Sequence, residues 1–322
     1  MQYRELGRTG WKVSAIGLGT WAMGSLWGPV NEQESMAALH RALDLGVNFF
    51  DTSDAYGSEP LLGRLRRERH EPFYIATKMG MGVNPDPRGY TRRNLTRFVD
   101  NSLRSLGTET IDLMQLHCPP IQVYNAEVFG ILDDFVEQGK MRYYGVSVER
   151  IDEALAAIQF PGVQSVMMIF NMFRMRPIED FFPEAQRCKV GILARVPLAS
   201  GLLTGKMTRD MKFAQDDHRS FNRDGRAFDR GETFSGVDFE KGLQAVEELR
   251  PLVPLGETMA QFALRWILMH EAVTSAVPGA KRPEQVEDTL RAADLPPLSD
   301  ATMEQVRAVY DRCLRADVHP LW

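Results

Sequence analysis

The chain has 322 residues, 44% of them hydrophobic and 25% charged, enough apolar material for a large core and too much for a chain that stays unfolded. Acidic side chains outnumber basic ones 43 to 38, for a net charge of −5, and no long lysine or arginine run occurs, which argues against nucleic acid as a partner. No stretch of about 18 consecutive apolar residues occurs and no apolar segment of signal-peptide length opens the chain, so a cytoplasmic protein without a membrane span is expected.

Taken in chain order, Gln2 to Leu6 and Trp11 to Val13 flank a Gly-Arg-Thr-Gly turn, the signature of a β-hairpin. Eight strand candidates follow: Ser14 to Leu18, Asn48 to Phe50, Phe73 to Thr77, Ile111 to Leu116, Tyr143 to Val146, Ser165 to Phe170, Gly191 to Arg195 and Val273 to Val277. They are short, rich in β-branched or aromatic residues, and bounded by turns. Helix candidates are Glu32 to Asp44, Thr91 to Leu106, Ala126 to Glu137, Ile151 to Ile158, Glu179 to Cys188, Phe239 to Leu249, Thr258 to His270 and Pro283 to Ala293. Alternating β and α elements predict a parallel sheet, and eight strands close into a (β/α)8 TIM barrel, with a doubly wound open sheet as the alternative. The expectation is one domain over residues 1–322, capped by the hairpin. A polar insert of about 206–236 follows strand seven, too long for an ordinary connection and read as a lid. An extension of about 294–322 holds a helix and a tail ending in Trp322. Cys118, Cys188 and Cys313 show no CxxC spacing, so neither a disulfide framework nor a zinc site is expected, only buried thiols.

Barrels of this type carry their chemistry at the carboxyl ends of the strands. Strand two ends in Asp51 with Tyr56 in the loop beyond; strands three, four and five end in Lys78, His117 and Ser147. An ammonium near Tyr56 would lower the phenol, Asp51 would compensate the charge of Lys78, and a neutral His117 could donate to a carbonyl oxygen. These are the parts for polarising and protonating a carbonyl, which then needs a hydride source. Gly17-Leu18-Gly19 does not continue into a dinucleotide fingerprint, and the stretch around Gly205 and Lys206 fails as a phosphate loop. Barrels instead hold phosphates in the loops after strands seven and eight, here "VPLASGLLTGK" and "VPGAKRPEQVED".

The stretches "FFDTSDAYG", "IATKMG", "IDLMQLH", "YYGVS" and "PLASGLLTGK" are similar, in order and spacing, to those of the aldo-keto reductases, and the chain resembles that family over most of its length. The resemblance implies an NADP-dependent (β/α)8 enzyme that reduces an aldehyde or ketone, or oxidises the corresponding alcohol or sugar. It implies a catalytic tetrad of Asp51, Tyr56, Lys78 and His117, with Tyr56 as the acid. For the cofactor it implies Gly19, Thr20, Trp21, Asp51, Ser147 and Arg195 at the nicotinamide end. Pro197, Leu198, Ser200, Gly201, Leu203 and Lys206 fall at the pyrophosphate. Gly279, Lys281, Gln285 and Asp288 fall at the adenosine, with Lys281 on the 2'-phosphate. The chain departs from the family at Val148, where Asn is usual, at Met167, where Gln is usual, and at Arg195, where a stacking tyrosine is common. Trp21, Trp27 and Tyr90 lie in loops that could line a substrate pocket. A barrel that binds NADP as a sensor or regulatory subunit is the alternative, and a metal-dependent hydrolase using His117 and Asp51 is a weaker third. No metal, nucleic acid or membrane partner is expected, and monomer and homo-oligomer are both compatible with the sequence.

Overall fold

The computed structural model describes residues 1–24 and 26–322. Strands β1 (Tyr3–Glu5) and β2 (Lys12–Ser14) pair antiparallel as the expected hairpin. The barrel strands are β3 (Leu18–Gly19), β4 (Phe49–Asp51), β5 (Tyr74–Met79), β6 (Ile111–His117), β7 (Met141–Ser147), β8 (Val163–Ile169), β9 (Gly191–Arg195) and β10 (Val273–Ala276). Each pairs in parallel with the next. Bridges between Ile16 and Ala276 and between Gly19 and Gly279, with a Gly17 N to Ala276 O hydrogen bond of 2.9 Å, close the sheet on itself. All eight predicted strands are present, the first shorter than expected because only Leu18 and Gly19 make a continuous ladder.

Helices cover the outside, and their ends follow the sequence signals. Asn31 caps Glu32–Asp44 by accepting from the amides of Gln33 and Glu34, Thr91 caps Arg92–Leu106, and Gly107 ends that helix at φ 62, a conformation that costs glycine little. Two helix expectations need correction. The segment between β4 and β5 forms a helix, Glu59–Glu68, that the apolar periodicity did not predict. Gly63 sits in its middle, and a Cβ there would come within 2.6 Å of the Leu106 carbonyl oxygen, so the residue that weakens helix propensity is what lets two helices touch. The single helix expected over Glu179 to Cys188 is instead two short ones, Arg176–Asp180 and Phe182–Arg187. Pro177 and Pro183 each begin a new first turn.

The barrel interior is layered by the period of two along each strand. Phe49, Ala76, Leu113, Met167, Leu193 and Val277 form an apolar layer inside, with Leu6 and Val13 of the hairpin beneath it. Each fully buried large apolar side chain contributes roughly 1.5–3 kcal/mol. Two residues further along the same strands stand Asp51, Lys78 and Gln115, and then His117. The strands that place an oily floor thus raise a polar layer over it, at the carboxyl end.

The insert carries a short helix, His218–Phe221, and packs over that end. His218 is buried, stacked on Trp21 at 4.9 Å between ring centroids and edge-on to Trp27 at 4.6 Å. Trp322 folds back against the insert: its indole donates to Asp229 at 3.0 Å, and the Arg174 guanidinium lies 3.8 Å from its ring. The three cysteines are free and half-buried, more open than the buried thiols expected. No helix is long and apolar enough to cross a membrane among the described residues.

Candidate active site

Asp51, Lys78 and His117 line one cavity of about 420 Å³ at the carboxyl end, together with Tyr56 from the loop after β4. The Lys78 ammonium donates to both oxygens of Asp51, at 2.8 and 2.7 Å, and to the Thr52 carbonyl at 2.8 Å. It stands 4.9 Å from the centre of the Tyr56 ring, and the His117 ring is edge-on to Tyr56 at 5.8 Å. Trp21 stacks on the other side of Tyr56 at 5.7 Å. The loop reaches this position because Gly24 leaves room: a Cβ on Gly24 would lie 1.7 Å from the Tyr56 carbonyl oxygen.

Electrostatics in the cavity are set mainly by burial. Burial pushes Asp51 up, and Lys78 opposes it. His117 is held well below the usual imidazole range by burial, with Lys78 and Arg195 adding to the effect, so the ring is neutral as expected. The expectation for Tyr56 is corrected. Its phenol lies well above its ordinary value, because burial and the charges of Asp51 and Glu232 outweigh Arg195. Lys78 spends its hydrogen bonds on Asp51 and Thr52 instead of on the phenol. Tyr56 is therefore a neutral phenol with its proton in place.

Arg195 neither stacks on an aromatic ring nor projects as a free cation. It is 8% exposed, pairs with Glu232 of the insert and with Glu149 at 3.1 Å, and donates to the Val148 carbonyl at 2.8 Å and the Cys118 sulfur at 3.7 Å. Cys118, Glu149 and Glu232 bring ligating atoms within 4.8 Å of one another, and Arg195 is the cation they surround. Burial pushes Glu149 well above the usual carboxylate range, with Arg195 opposing it. Glu149 and Glu232 escaped the sequence reading; Glu149 sits two residues past Ser147 at a strand end, which was the available signal, while Glu232 comes from an insert with no pattern of its own.

From the tetrad the cavity runs along Pro197, Leu198, Ser200, Gly201 and Lys206 to Gly279, Lys281, Gln285 and Asp288, with Gly19 and Trp21 on the near wall. Ser200 at φ 53 and Gly201 at φ 100 turn the backbone in a left-handed bend, with the Gly201 amide given to the Leu198 carbonyl at 2.9 Å and the Ser200 hydroxyl to the Glu232 carbonyl at 2.9 Å. Lys206 and Arg282 line the cavity and have no ion-pair partner among the described residues. Arg195 Nε is buried with no hydrogen-bond partner. These features fit an extended dinucleotide with its phosphates at the β9 and β10 loops. Three of the expected contact residues lie off the cavity wall. Thr20 donates its hydroxyl to the Asp51 carbonyl at 2.9 Å, Ser147 is buried 3.8 Å from Cys118 Sγ, and Leu203 is in the core. Lys281 is engaged differently than expected, donating to the carbonyls of Trp27 at 3.2 Å and Pro29 at 2.8 Å across the groove. Of the aromatic pocket candidates, Trp21 and Trp27 line the cavity, while Tyr90 is buried and hydrogen-bonded to Asn84.

The fold and this arrangement define a barrel oxidoreductase of one class. The model of the Aldo/keto reductase family matches residues 15–311. The chain is 33% identical over 300 residues to the aldo-keto reductase YhdN of Bacillus subtilis, covering 89% of this chain and 87% of that one. It is 30% identical over 319 residues, 92% of this chain and 93% of the relative, to a probable voltage-gated potassium channel subunit beta of Arabidopsis thaliana. Among solved structures it is similar to the glycerol dehydrogenase of Gluconobacter oxydans, with a TM-score of 0.80, 30% identity, and 97% and 96% of the two chains covered. The chain belongs to the aldo-keto reductase family.

Proposed function

We propose that the chain is an NADP(H)-dependent reductase of small aldehydes or ketones, able to run as an alcohol or sugar dehydrogenase in reverse, with Tyr56 as the general acid and base. The observation that carries this reading is the convergence of Tyr56, Lys78, His117 and Asp51 on one cavity, with the Lys78 ammonium 4.9 Å and the His117 ring 5.8 Å from the centre of the Tyr56 ring.

A carbonyl oxygen placed between Tyr56 and His117 meets two groups that can hydrogen-bond to it. Reduced NADP, when bound, supplies the hydride to the carbonyl carbon. Tyr56 gives its phenolic proton to the oxygen as negative charge develops there. The phenolate left behind is opposed by Asp51 and Glu232 and favoured by Arg195, and the Lys78 ammonium at 4.9 Å from the ring adds to that support. Asp51, bonded through both oxygens to Lys78, fixes the ammonium in place. Trp21 and the insert exclude water from the inner end, which strengthens each of these interactions. Along the groove, Lys206 and Arg282 suit the phosphates, while Val148 and Met167 offer no amide side chains at the nicotinamide end. The glycerol dehydrogenase to which the fold is similar supports small hydroxylated substrates.

The test is NADPH consumption by the purified chain against a panel of small aldehydes, ketones and sugars. Tyr56→Phe should lower kcat by about 10²–10⁴-fold while NADPH still quenches tryptophan fluorescence. Unchanged turnover in that variant would remove Tyr56 from the mechanism. NADPH binding with no turnover of any carbonyl in the parent would favour a sensor or regulatory role instead.

A further inference from the structure

Ser53, two residues past Asp51, has one hydroxyl proton and two claims on it. Its Oγ lies 3.1 Å from Asp54 Oδ1 and 3.1 Å from His117 Nδ1, and it accepts the Ala55 amide at 3.2 Å. A serine oxygen donates once and accepts twice, so the three contacts allow two arrangements. In the first, Ser53 donates to the Asp54 carboxylate and accepts from His117 Nδ1–H, which leaves Nε2 bare. In the second, Asp54 carries a proton and donates it to Ser53, Ser53 donates to Nδ1, and the imidazole proton resides on Nε2. Ser53 and His117 are buried and Asp54 half-buried, so little water is available to satisfy these groups independently.

We propose that Ser53 and Asp54 are positioning residues that set which nitrogen of His117 carries the proton, and so whether His117 donates to a carbonyl oxygen or accepts from an alcohol hydroxyl. This rests on the reading of His117 as a partner of the reacting oxygen. The relay moves one net proton: Asp54 gains it, the Ser53 hydroxyl reverses, and the ring proton leaves Nδ1 as Nε2 takes one from the cavity. The groups around it act together. Burial, then Glu59, hold Asp54 up at about 6, against the hydrogen bonds from Ser53 and Ala55 and the charge of Lys78. Asp54 in turn faces the Tyr90 phenol. Lys78 and Arg195 keep the His117 ring from taking a second proton. Below about pH 6 the donor form suits carbonyl reduction, and above it the acceptor form suits alcohol oxidation.

The test is 15N NMR of the full chain labelled in histidine, titrated from about pH 5 to about pH 8, with His117→Gln assigning the ring signals among the six histidines. The parent should show Nε2 protonated at the acid end and bare at the alkaline end, with a midpoint near 6 and no doubly protonated ring. Asp54→Asn should abolish the step, and Ser53→Ala should abolish it independently. A single tautomer across the range, a step that survives in Asp54→Asn, or a ring protonated on both nitrogens would each overturn the proposal. The ring shifts need neither cofactor nor turnover, so a chain that reduces no carbonyl would sink the reductase reading while leaving this result intact.

Discussion

Gly24→Ala is the sharpest test of how Tyr56 is held. The added Cβ would lie 1.7 Å from the Tyr56 carbonyl oxygen and 2.7 Å from its carbonyl carbon, whereas real Cβ contacts essentially never fall below 3.0 Å. The difference, 3.0 − 1.7, is a displacement of at least 1.3 Å. Both atoms are backbone, so no side chain can swing aside; either the Trp21–Gly24 helix or the Tyr56 loop must move. A misplacement of about 1 Å in a catalytic group can cost about 10²-fold in rate, and overpacking of this kind costs roughly 1–3 kcal/mol of stability. The expected result is a fall in kcat of about a hundredfold or more, measured by NADPH absorbance with the best aldehyde, while the phosphate end of the groove keeps its affinity for NADPH. Thermal unfolding should show a moderate loss with cooperative melting retained. If kcat stays within about twofold of the parent, the close approach of Gly24 does not position Tyr56, and the argument fails.

Lys281→Ala should weaken NADPH by about tenfold more than NADH, as loss of one phosphate partner implies, and should also weaken both modestly because the Trp27 and Pro29 carbonyls lose their tie. Equal losses in fluorescence titrations would confine Lys281 to holding that loop. Stability should fall on acidification through His218 and His270, both held by burial at about 4. Their folded values lie below the unfolded one, so the unfolded chain binds more protons and stability is lost as pH drops below about 6.5, by about 2 kcal/mol for each between pH 7 and pH 5. Urea denaturation at the two pH values measures this, and His218→Phe should lessen the fall by about 2 kcal/mol, with His117, held well below its usual range by burial, acting in the same direction; an unchanged slope in that variant would exclude His218 as a source.

The barrel and its polar rim were legible in the sequence because strand periodicity places Asp51 two residues after Phe49 and Lys78 two after Ala76, on one face. What stayed hidden depended on burial or on distant partners. The fall expected for the Tyr56 phenol assumed that Lys78 faces it freely, and only the structure shows the ammonium committed to Asp51 and Thr52. The Arg195 cluster joins Glu149 and Glu232, residues 46 before and 37 after it in the chain, with no local pattern to announce it. Glu59–Glu68 was obscured by Gly63 and a run of arginines, whose role emerges only against the neighbouring helix. Lys281 illustrates the converse: its placement in the groove was legible, its hydrogen bonds were not.

The bridge that closes the sheet joins Ile16 to Ala276, 260 positions apart (276 − 16). Arg4, on the hairpin, donates to the carbonyls of Leu268, His270 and Val273 and stitches the same seam. Contacts of such sequence separation demand that a long chain be gathered before they contribute anything, which slows folding. Until β10 arrives, β3 and β9 are raw edges able to template pairing with other chains. Low-temperature expression and limited time as a nascent chain should therefore raise the yield of this protein.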